Sequence, residues 1–297
     1  MKIAAIVLNY KGVQDTIECV DSIFASDLEK GITLEIIVIE NGSNDGSTER
    51  LRELKEIRLI ESKVNLGYSG GNNLGINEAL KNNADLILIL NNDVFIDKHA
   101  ISNLIEASKK ADIVSPKIYF AKGFEFHKSR YKKNELGKVI WYAGGQVDWD
   151  NIMGAHIGVD EVDIGQYNTQ KEIDFATGAG ILVKREVFKK IGLLDEKYFL
   201  YLEDMDFCVR AIKAGFKIIY EPKAILWHKN AQSAGGSGSK IQDYYISRNR
   251  LLFAFKYAKN KTKLAVVKQL IKQSANAVKR KALFDFLTFN FGQSTNL

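Results

Sequence analysis

Continuous apolar runs alternate with amphipathic segments in the first third of the chain. The runs KIAAIVLNY, LEIIVIENG and ADLILILNND stay largely apolar until their last positions, and IRLIES predicts a shorter strand. Between the first two runs, Val13, Ile17, Val20 and Phe24 recur at helical spacing. Apolar strands separated by helices are typical of a parallel sheet with both faces covered. The pattern therefore predicts an α/β fold with a mostly parallel central sheet and helices on both faces.

Polar side chains stand where the apolar runs end. Asn9, Glu40 and Asp93 each lie at the end of a predicted strand. Because ligands of open parallel sheets bind at the carboxyl ends of the strands, we expect these three side chains to share one cleft. Helices are predicted between the strands, one over 47–56 with Ser47 as its N-cap and one opened by GYSGGNN.

The second half of the chain has a less regular pattern. Glycines and aromatic residues between 113 and 180 indicate loops and short strands, and 184–192 predicts a helix. The composition of AGGSGSK is typical of a flexible linker, and we interpret it as a mobile loop over the site because YYISRNRLLFAF follows directly. We expect one domain over 1–235, followed by a loop and a helical tail over 236–297.

Composition limits the class of protein further. The chain has 297 residues, 46% of them hydrophobic and 26% charged, which suits one large domain or one domain with an appendage. Cys19 and Cys208 are far apart and match no metal or disulfide pattern, so a reducing compartment is expected. The N-terminus lacks the apolar length of a signal peptide, and no stretch approaches the roughly 20 apolar residues of a membrane span. These features predict a cytoplasmic protein.

The tail is strongly basic. From Lys240 onward it holds twelve Lys and Arg residues and two Asp, a net charge of +10, and because the whole chain carries +6, the preceding residues carry −4. Apolar residues recur there at intervals of three and four, namely Leu264, Val267, Ile271, Ala275, Val278 and Ala282. A basic amphipathic helix favours the inner surface of the cell membrane as a peripheral attachment site. Packing of this helix on its own domain or on a second copy in a homodimer is the alternative, and no nucleic-acid partner is expected.

Three acidic side chains and one histidine form the most informative candidate site. Glu203, Asp204 and Asp206 open a predicted helix after the apolar FLYL, and His228 ends a strand-like segment. A helix dipole stabilises acids at this position, but mutual repulsion among three of them favours a functional cluster with a base. The imidazole is a candidate metal ligand, and a buried core histidine is the alternative.

Three further stretches have chemistry that a nucleotide would use. Asn91, Asn92 and Asp93 supply one carboxylate, which is enough for Mg²⁺ when a diphosphate and water complete its shell, whereas a simple turn is the alternative. The stretch 40–45 could hydrogen-bond a ribose or base, or form a capped loop. The glycines of 67–73 open a helix whose N-terminus attracts phosphate, although the spacing is not that of GxGxxG.

Together these stretches resemble the family 2 glycosyltransferases, which have the GT-A fold, and look most similar to the rhamnosyltransferase branch of bacterial surface-polysaccharide synthesis. The matching stretches are IVLNYKG, VIENGSNDGS, NLGYSGGNNLGI, LILNNDV, ATGAGILVKREVFKKIGLLDEKYFLYLEDMDFCVRAIKAGF and PKAILWH, followed by YYISRNRLLF. They occur in the family order across nearly the first 230 residues. The resemblance implies a nucleotide-binding half over about 1–112 and an acceptor-binding half over about 113–235.

The resemblance also implies roles for individual residues. Asp204 would be the catalytic base with Glu203 beside it, and Asp93 and His228 would hold a divalent cation, Mg²⁺ or Mn²⁺. The residues expected to contact the nucleotide-sugar donor are Leu8, Asn9, Tyr10, Glu40, Asn41, Asp45, Gly71, Asn72, Asn91, Asn92 and Gly178. The implied reaction is inverting transfer of a sugar from a donor such as dTDP-rhamnose or a UDP-sugar to a glycan or lipid-linked glycan.

Two departures from the family pattern bear on this expectation. The motif Asn91-Asn92-Asp93 lacks the first acid of the DXD type, which leaves less negative charge for a cation. Glu40-Asn41 stands where many relatives have Asp, so the base of the nucleotide is open. A sugar nucleotidyltransferase and a non-catalytic, membrane-associated nucleotide-sugar-binding protein are the alternatives, and a dehydrogenase is disfavoured by the absence of GxGxxG.

Overall fold

A central sheet flanked by helices forms the body of the chain. The computed structural model describes residues 1–230 and 238–294. The strands are β1 Lys2–Asn9, β2 Thr33–Asn41, β3 Ile57–Ser62, β4 Leu86–Asn91, β5 Val94–Ile96, β6 Ile113–Phe120, β7 Ile140–Tyr142, β8 Gly145–Asp148, β9 Met153–His156, β10 Lys171–Glu172, β11 Gly180–Lys184 and β12 Ile218–His228. The helices are α1 Val13–Phe24, α2 Ser47–Arg52, α3 Gly67–Lys81, α4 Ala100–Ser108, α5 Arg185–Ile191, α6 Glu203–Lys213, α7 Lys240–Tyr257, α8 Asn260–Lys272 and α9 Ala277–Leu287, with a 3₁₀ turn at Lys128–Arg130.

The sheet is mostly parallel, as the apolar runs predict. Its main strands lie in the order β10-β12-β6-β11-β4-β1-β2-β3, with β5 beside β12 and β7 beside β6. Strands β3, β2, β1 and β4 pair in parallel, and so do β6 and β12. Strand β11 pairs antiparallel with both β4 and β6 and thereby joins the two parallel blocks.

The polar ends of the strands meet at one edge of the sheet. Residues 3–7 of β1 are fully buried, so the apolar run serves the core until its end. The register then sets Asn9 of β1 beside Glu40 of β2, and Leu8 beside Asn91 of β4. The strand predictions for β1 to β4 are confirmed, and the residues that follow β4 continue along this edge.

The start of α2 differs from the prediction. The helix begins at Ser47, so this residue is not the N-cap. Gly46 precedes it with a left-handed φ of 86°, and the Asp45 carboxylate accepts hydrogen bonds from both the N–H and the hydroxyl of Ser47. The prediction of Ser47 as the cap is therefore wrong, because the glycine turns the chain and brings Asp45 to the helix start.

The described residues of the tail, 238–294, form three helices, and the single apolar stripe predicted for the tail is not continuous. Helix α8 ends at Lys272 and α9 begins at Ala277, with the Asn276 side chain accepting from the backbone N–H groups of its first turn. Val266 and Leu270 are the buried apolar residues of α8, whereas Leu264 and Ile271 are 62% and 52% exposed. The buried face of α8 therefore does not coincide with the predicted apolar stripe, two of whose residues face solvent.

No helix among the described residues is both long and apolar enough to cross a bilayer. The predicted glycine-rich loop falls mainly on residues 231–237, which lie outside the described part of the chain.

Candidate active site

A cleft of about 620 Å³ opens at the carboxyl ends of β1, β2 and β4. Ten of the residues expected from the sequence line it: Leu8, Tyr10, Asn41, Asn91, Asn92, Asp93, Gly178, Glu203, Asp204 and His228. Five others are absent from its lining, namely Asn9, Glu40, Asp45, Gly71 and Asn72. The acidic cluster, the strand-end asparagines and the histidine are therefore brought together from stretches that are remote in sequence.

Asp204 faces the cleft from the first turn of α6. One carboxylate oxygen accepts a hydrogen bond from the Gly178 N–H at 3.0 Å, and the other accepts from the Met205 N–H at 2.8 Å. Burial raises the pKa of this carboxyl above its ordinary value, and these two backbone donors offset part of the rise. The result is a carboxylate held in a fixed orientation with more affinity for a proton than an exposed aspartate has.

Gly178 can approach Asp204 because it has no side chain. A Cβ at this position would lie 2.5 Å from the hydroxyl oxygen of Tyr68, which donates a hydrogen bond to the Gly178 carbonyl at 2.6 Å. The peptide flanking this glycine is therefore fixed on both sides, by Tyr68 at its carbonyl and by Asp204 at its N–H. No larger residue fits without displacing the tyrosine.

Glu203 lies beside Asp204 in a different environment. Its side chain is buried, and its Oε2 atom has no hydrogen-bond partner within the part of the chain that the structure describes. Burial, and after it the charge of Asp204, raise the pKa of Glu203 well above its ordinary value. The two adjacent carboxyls thus have separate environments, and Glu203 holds its proton to a higher pH than an exposed glutamate.

Asp93 and His228 also line this cleft and contact each other. The imidazole Nε2 lies 2.9 Å from the Asp93 Oδ1, and both residues are almost fully buried. A carboxylate oxygen and an imidazole nitrogen are suitable ligands for Mn²⁺, and their separation matches neighbouring positions in an octahedral shell with bonds of about 2.1 Å. Among residues 1–230 and 238–294, no group of three or more His, Cys, Asp or Glu residues could hold a metal. A cation here would need a diphosphate and water to complete its shell.

Aromatic rings, which no sequence motif indicated, surround this pair. The Trp141 ring lies edge-on to His228 at 4.5 Å and to His156 at 4.6 Å. Burial lowers the pKa of His156 to about 4, so this ring is neutral near pH 7. Tyr201 and Tyr245 also line the cleft. In the sequence these are single aromatic residues within a loop, a short strand or a tail helix, and such a residue does not by itself indicate a binding site.

A buried polar network lies behind the part of the cleft that the ends of β1, β2 and β4 form. The Asn92 side chain donates to Thr16 Oγ1, Thr16 donates to Asn9 Oδ1, and Asn9 donates to Ser43 Oγ. The Glu40 carboxylate accepts from the backbone N–H groups of Gly42 and Ser43. These contacts join the ends of β1, β2 and β4, so Asn9, Glu40 and Asn92 fix the loops that shape the cleft. Their direct contact with a nucleotide stays a prediction.

Asn41, at the end of β2, and Gly71 and Asn72, in the first turns of α3, lie close to one another behind the cleft. Asn41 donates to the Gly67 carbonyl and accepts from the Leu66 N–H. A Cβ on Gly71 would lie 2.5 Å from Leu8, so this glycine permits α3 to pack directly behind the cleft wall. Asn72 is fully buried and donates to the Tyr68 carbonyl, while its Oδ1 has no hydrogen-bond partner among the described residues.

Asp206, the third acid of the cluster, has a structural environment. It is fully buried and outside the cleft lining, and its carboxylate accepts from four side chains. These are Tyr198, Arg210, Lys256 and Tyr257. Because Lys256 and Tyr257 belong to α7, this carboxylate joins α6 to the first helix of the tail.

These features agree with the similarity of the chain to known proteins. The chain belongs to the family described as glycosyl transferase family 2, whose model matches residues 4–192. The predicted family is therefore confirmed, and the protein is a glycosyltransferase.

Curated relatives extend the similarity beyond the matched region. The chain is 28% identical over 253 residues to the low-salt glycan biosynthesis hexosyltransferase Agl10 of Haloferax volcanii, covering 84% of this chain and 74% of that one. It is 25% identical over 214 residues to the N-acetylglucosaminyl-diphospho-decaprenol L-rhamnosyltransferase of Mycobacterium tuberculosis, covering 68% of each. It is 24% identical over 230 residues to the dTDP-rhamnosyl transferase RfbF of Shigella flexneri, covering 73% of this chain and 69% of that one.

Solved structures share the fold. GalNAc-T7, crystallised with UDP, GalNAc and Mn²⁺, superposes with a TM-score of 0.63 at 14% identity over 90% of this chain and 54% of its own. The mannosyltransferase PcManGT of Pyrobaculum calidifontis, in complex with GDP-Man and Mn²⁺, gives a TM-score of 0.54 at 15% identity over 96% and 86%. The GT-A fold predicted from the motifs is thereby confirmed.

Proposed function

We propose that this protein transfers a sugar from a nucleoside-diphosphate donor to a glycan or lipid-linked glycan, with inversion at the anomeric carbon. One observation carries the proposal: the Asp204 carboxylate, fixed by the Gly178 N–H, faces the same cleft as the Asp93–His228 pair. Direct displacement of a nucleoside diphosphate requires a base for the acceptor proton and a group that neutralises the leaving diphosphate, and the cleft offers a candidate for each.

The acceptor hydroxyl would bind on the Asp204 side of the cleft. Asp204 accepts the hydroxyl proton as the acceptor oxygen bonds to the anomeric carbon, and the bond from that carbon to the diphosphate oxygen breaks with its electron pair. A divalent cation, when bound by Asp93 and His228, neutralises charge on the diphosphate. Burial raises the pKa of Glu203 well above its ordinary value, so this carboxyl beside the base holds its proton to a higher pH than an exposed glutamate does.

The class of donor and acceptor follows from the relatives as a hypothesis. Two of them are named as rhamnosyl transferases, one with a diphospho-decaprenol acceptor and one with a dTDP-linked donor. We therefore favour dTDP-rhamnose or a UDP-sugar as donor, and a lipid-linked intermediate of cell-envelope polysaccharide synthesis as acceptor.

The deciding experiment identifies the products. Purified enzyme would be screened by thermal shift against nucleotide sugars with Mn²⁺ or Mg²⁺, and the stabilising donor then incubated with short lipid-linked and free glycan acceptors. We expect free nucleoside diphosphate and a glycosylated acceptor. Pyrophosphate as the product would instead identify a sugar nucleotidyltransferase, and binding without hydrolysis or transfer would identify a non-catalytic binding protein.

A second proposal concerns the outer faces of α8 and α9. On α8, the exposed residues Leu264 and Ile271 lie two turns apart on one face of the helix, with Lys268 between them. On α9, Phe284 and Leu287 are 63% and 61% exposed. We infer that these faces dock on an anionic lipid surface, because apolar side chains alternate there with cations of a segment that carries a net charge of +10. The membrane concerned would be the inner face of the cell membrane, where a lipid-linked acceptor is presented.

A further inference from the structure

Two residues of α7 that lie beyond the family-matched region make an unusual set of contacts. Arg248 and Asn249 are both fully buried, with 0% of their surface accessible to solvent. Arg248 also donates to the side chain of Asn249, so the two act as one unit. Within the described residues Arg248 has no carboxylate partner, and its hydrogen bonds go to carbonyl and amide oxygens instead.

The bonds of this pair converge on one short segment. Arg248 donates to two backbone carbonyls of 197–201 and Asn249 donates to three, at 2.8 to 3.1 Å. The accepting carbonyls belong to Lys197, Tyr198, Leu200 and Tyr201. The Tyr198 carbonyl also accepts from the Leu200 N–H, and the Lys197 carbonyl accepts from the Gly292 N–H. The guanidinium and the amide add side-chain donors to all four carbonyls and so tie the segment to α7.

The segment needs this support because its backbone is strained. Phe199, Tyr201 and Leu202 have φ values of 63°, 69° and 70°, in the left-handed region that residues with a side chain seldom adopt. Leu202 immediately precedes Glu203 and Asp204, so the path of this segment determines where α6 starts and where its first side chains lie. A strained conformation persists only when its surroundings hold it.

The same segment reaches Asp204 by a second route. The Phe199 carbonyl accepts the N–H of Tyr68 at 2.7 Å, the Tyr68 hydroxyl donates to the Gly178 carbonyl, and the Gly178 N–H donates to Asp204. A Cβ on Gly67 would lie 2.4 Å from that carbonyl, so the contact at the start of α3 depends on a glycine. Asp204 is thus held both along the chain and across the cleft.

We propose that Arg248 and Asn249 are positioning residues for transfer, which hold the 197–202 segment in its strained path and thereby fix the orientation of Asp204. This proposal rests on the proposed role of Asp204 as the base. It makes α7 part of the catalytic apparatus, although the helix lies outside the matched region 4–192.

The test compares variants that remove donors while keeping shape. Asn249→Asp keeps the oxygen that accepts from Arg248 but loses the three bonds to the segment, and Arg248→Lys keeps the charge but loses the fork of donors. We expect kcat to fall about 10- to 100-fold, because small misplacements of a catalytic group have effects of that size, with donor KM nearly unchanged. Arg250→Ala is the matched control, since Arg250 on the same helix donates to the Asn151 carbonyl outside the segment.

The pH profile separates positioning from mere packing. If the Gly178 N–H moves away from Asp204, the pKa of Asp204 rises further, so the acid limb of kcat should shift to higher pH in both variants. Tyr68→Phe should give the same shift, since it removes the hydroxyl that links the 197–202 segment to Gly178. This variant replaces the α7 variants in the pH measurement if they do not fold. Variants with lowered thermal stability but wild-type kcat and an unshifted acid limb would overturn the proposal.

Hydrogen exchange gives a readout that does not depend on the reaction. Amides of 197–204 should exchange faster in Asn249→Asp and Arg248→Lys than in wild type, while those of β1 and β4 stay unchanged. If the wild-type protein transferred no sugar, the proposed function would fail, and this measurement would still decide the role of the pair. Unchanged exchange across 197–204 would refute it.

Discussion

At the scale of single residues, Asp204 and Glu203 are neighbours in sequence with different surroundings. Asp204 accepts two backbone hydrogen bonds and faces the cleft, whereas Glu203 is buried with one oxygen that has no hydrogen-bond partner in the described part of the chain. We expect Asp204→Asn to lower kcat by about 10²–10⁴, the contribution of one positioned base, with nucleotide affinity retained. Steady-state kinetics and calorimetric titration with the nucleoside diphosphate would measure the two effects.

Glu203→Gln is the matched control for that experiment. Because the raised pKa of Glu203 keeps its proton bound to higher pH, the amide copies its protonated form and most of the activity should remain. A loss as large as that of Asp204→Asn would contradict the separate roles of the two carboxyls. Near-normal turnover of Asp204→Asn would remove Asp204 as the base.

The raised pKa of Asp204 predicts an acid limb in the pH profile. The base must be ionised, so kcat/KM falls as the pH drops through its pKa, and burial places that limb above the value of about 3.9 for an exposed aspartate. The measurement is the pH dependence of kcat/KM with a non-titrating acceptor. A limb at or below the ordinary aspartate value would disagree with the buried environment.

The Asp93–His228 pair predicts metal-dependent donor binding. In His228→Ala the thermal stabilisation by donor plus Mn²⁺ should shrink to the value seen with donor and a chelator, because one of two protein ligands is lost. His156→Gln, at a residue that also lines the cleft and whose Nδ1 lies 3.3 Å from the Trp141 carbonyl, should keep the metal effect. An unchanged Mn²⁺ titration in His228→Ala would exclude the histidine as a ligand.

At the scale of elements, Asp206 joins α6 to α7. Its buried carboxylate accepts from Lys256 and three other side chains, so Asp206→Asn removes the negative charge that these four donors share at a fully buried position. We expect the free energy of unfolding to fall by about 3 kcal/mol in urea denaturation. Asp195→Asn, which removes a more exposed partner of the same lysine, should cost less than about 1 kcal/mol. Equal losses of unfolding free energy in the two variants would show that Asp206 stabilises the α6–α7 contact no more than Asp195 does.

The elements were predictable to different degrees for a physical reason. A fully buried strand has the same apolar requirement at every position, so β1, β2 and β4 could be predicted from their runs alone. A tail helix instead divides its apolar residues between the core and solvent, and periodicity could not tell buried Val266 from exposed Leu264. The break at Asn276 also depends on a cap that competes with helix continuation.

Within the site, the sequence could predict position but not orientation. That Asn9 and Glu40 end adjacent strands follows from the runs, and the register agrees. Their side chains bond to Thr16 and to the 42–43 backbone, and these contacts depend on loop geometry that no motif contains. Trp141 was missed for a similar reason, since only the folded sheet brings it to His228.

At the scale of the whole molecule, the exposed faces of α8 and α9 predict membrane affinity. The wild-type protein should sediment with vesicles containing phosphatidylglycerol and much less with pure phosphatidylcholine, and salt should weaken the binding. Phe284→Ser with Leu287→Ser should reduce it several-fold. Phe24→Ser, at an exposed phenylalanine of α1, is the control. Unchanged vesicle binding by the double variant would reject the membrane role. A double variant that loses a dimer in solution, while its vesicle binding is unchanged, would assign these faces to a dimer interface instead.

The position of β11 has a consequence for synthesis on the ribosome. Strand β4 pairs with β1 as soon as residue 91 has emerged, but its other edge waits for β11 at 180–184. At about 5–20 residues per second, this leaves the edge of LILILN unpaired for roughly 5–20 s. Open apolar edges recruit other chains, so nascent copies would be vulnerable to aggregation during this interval and would benefit from a chaperone.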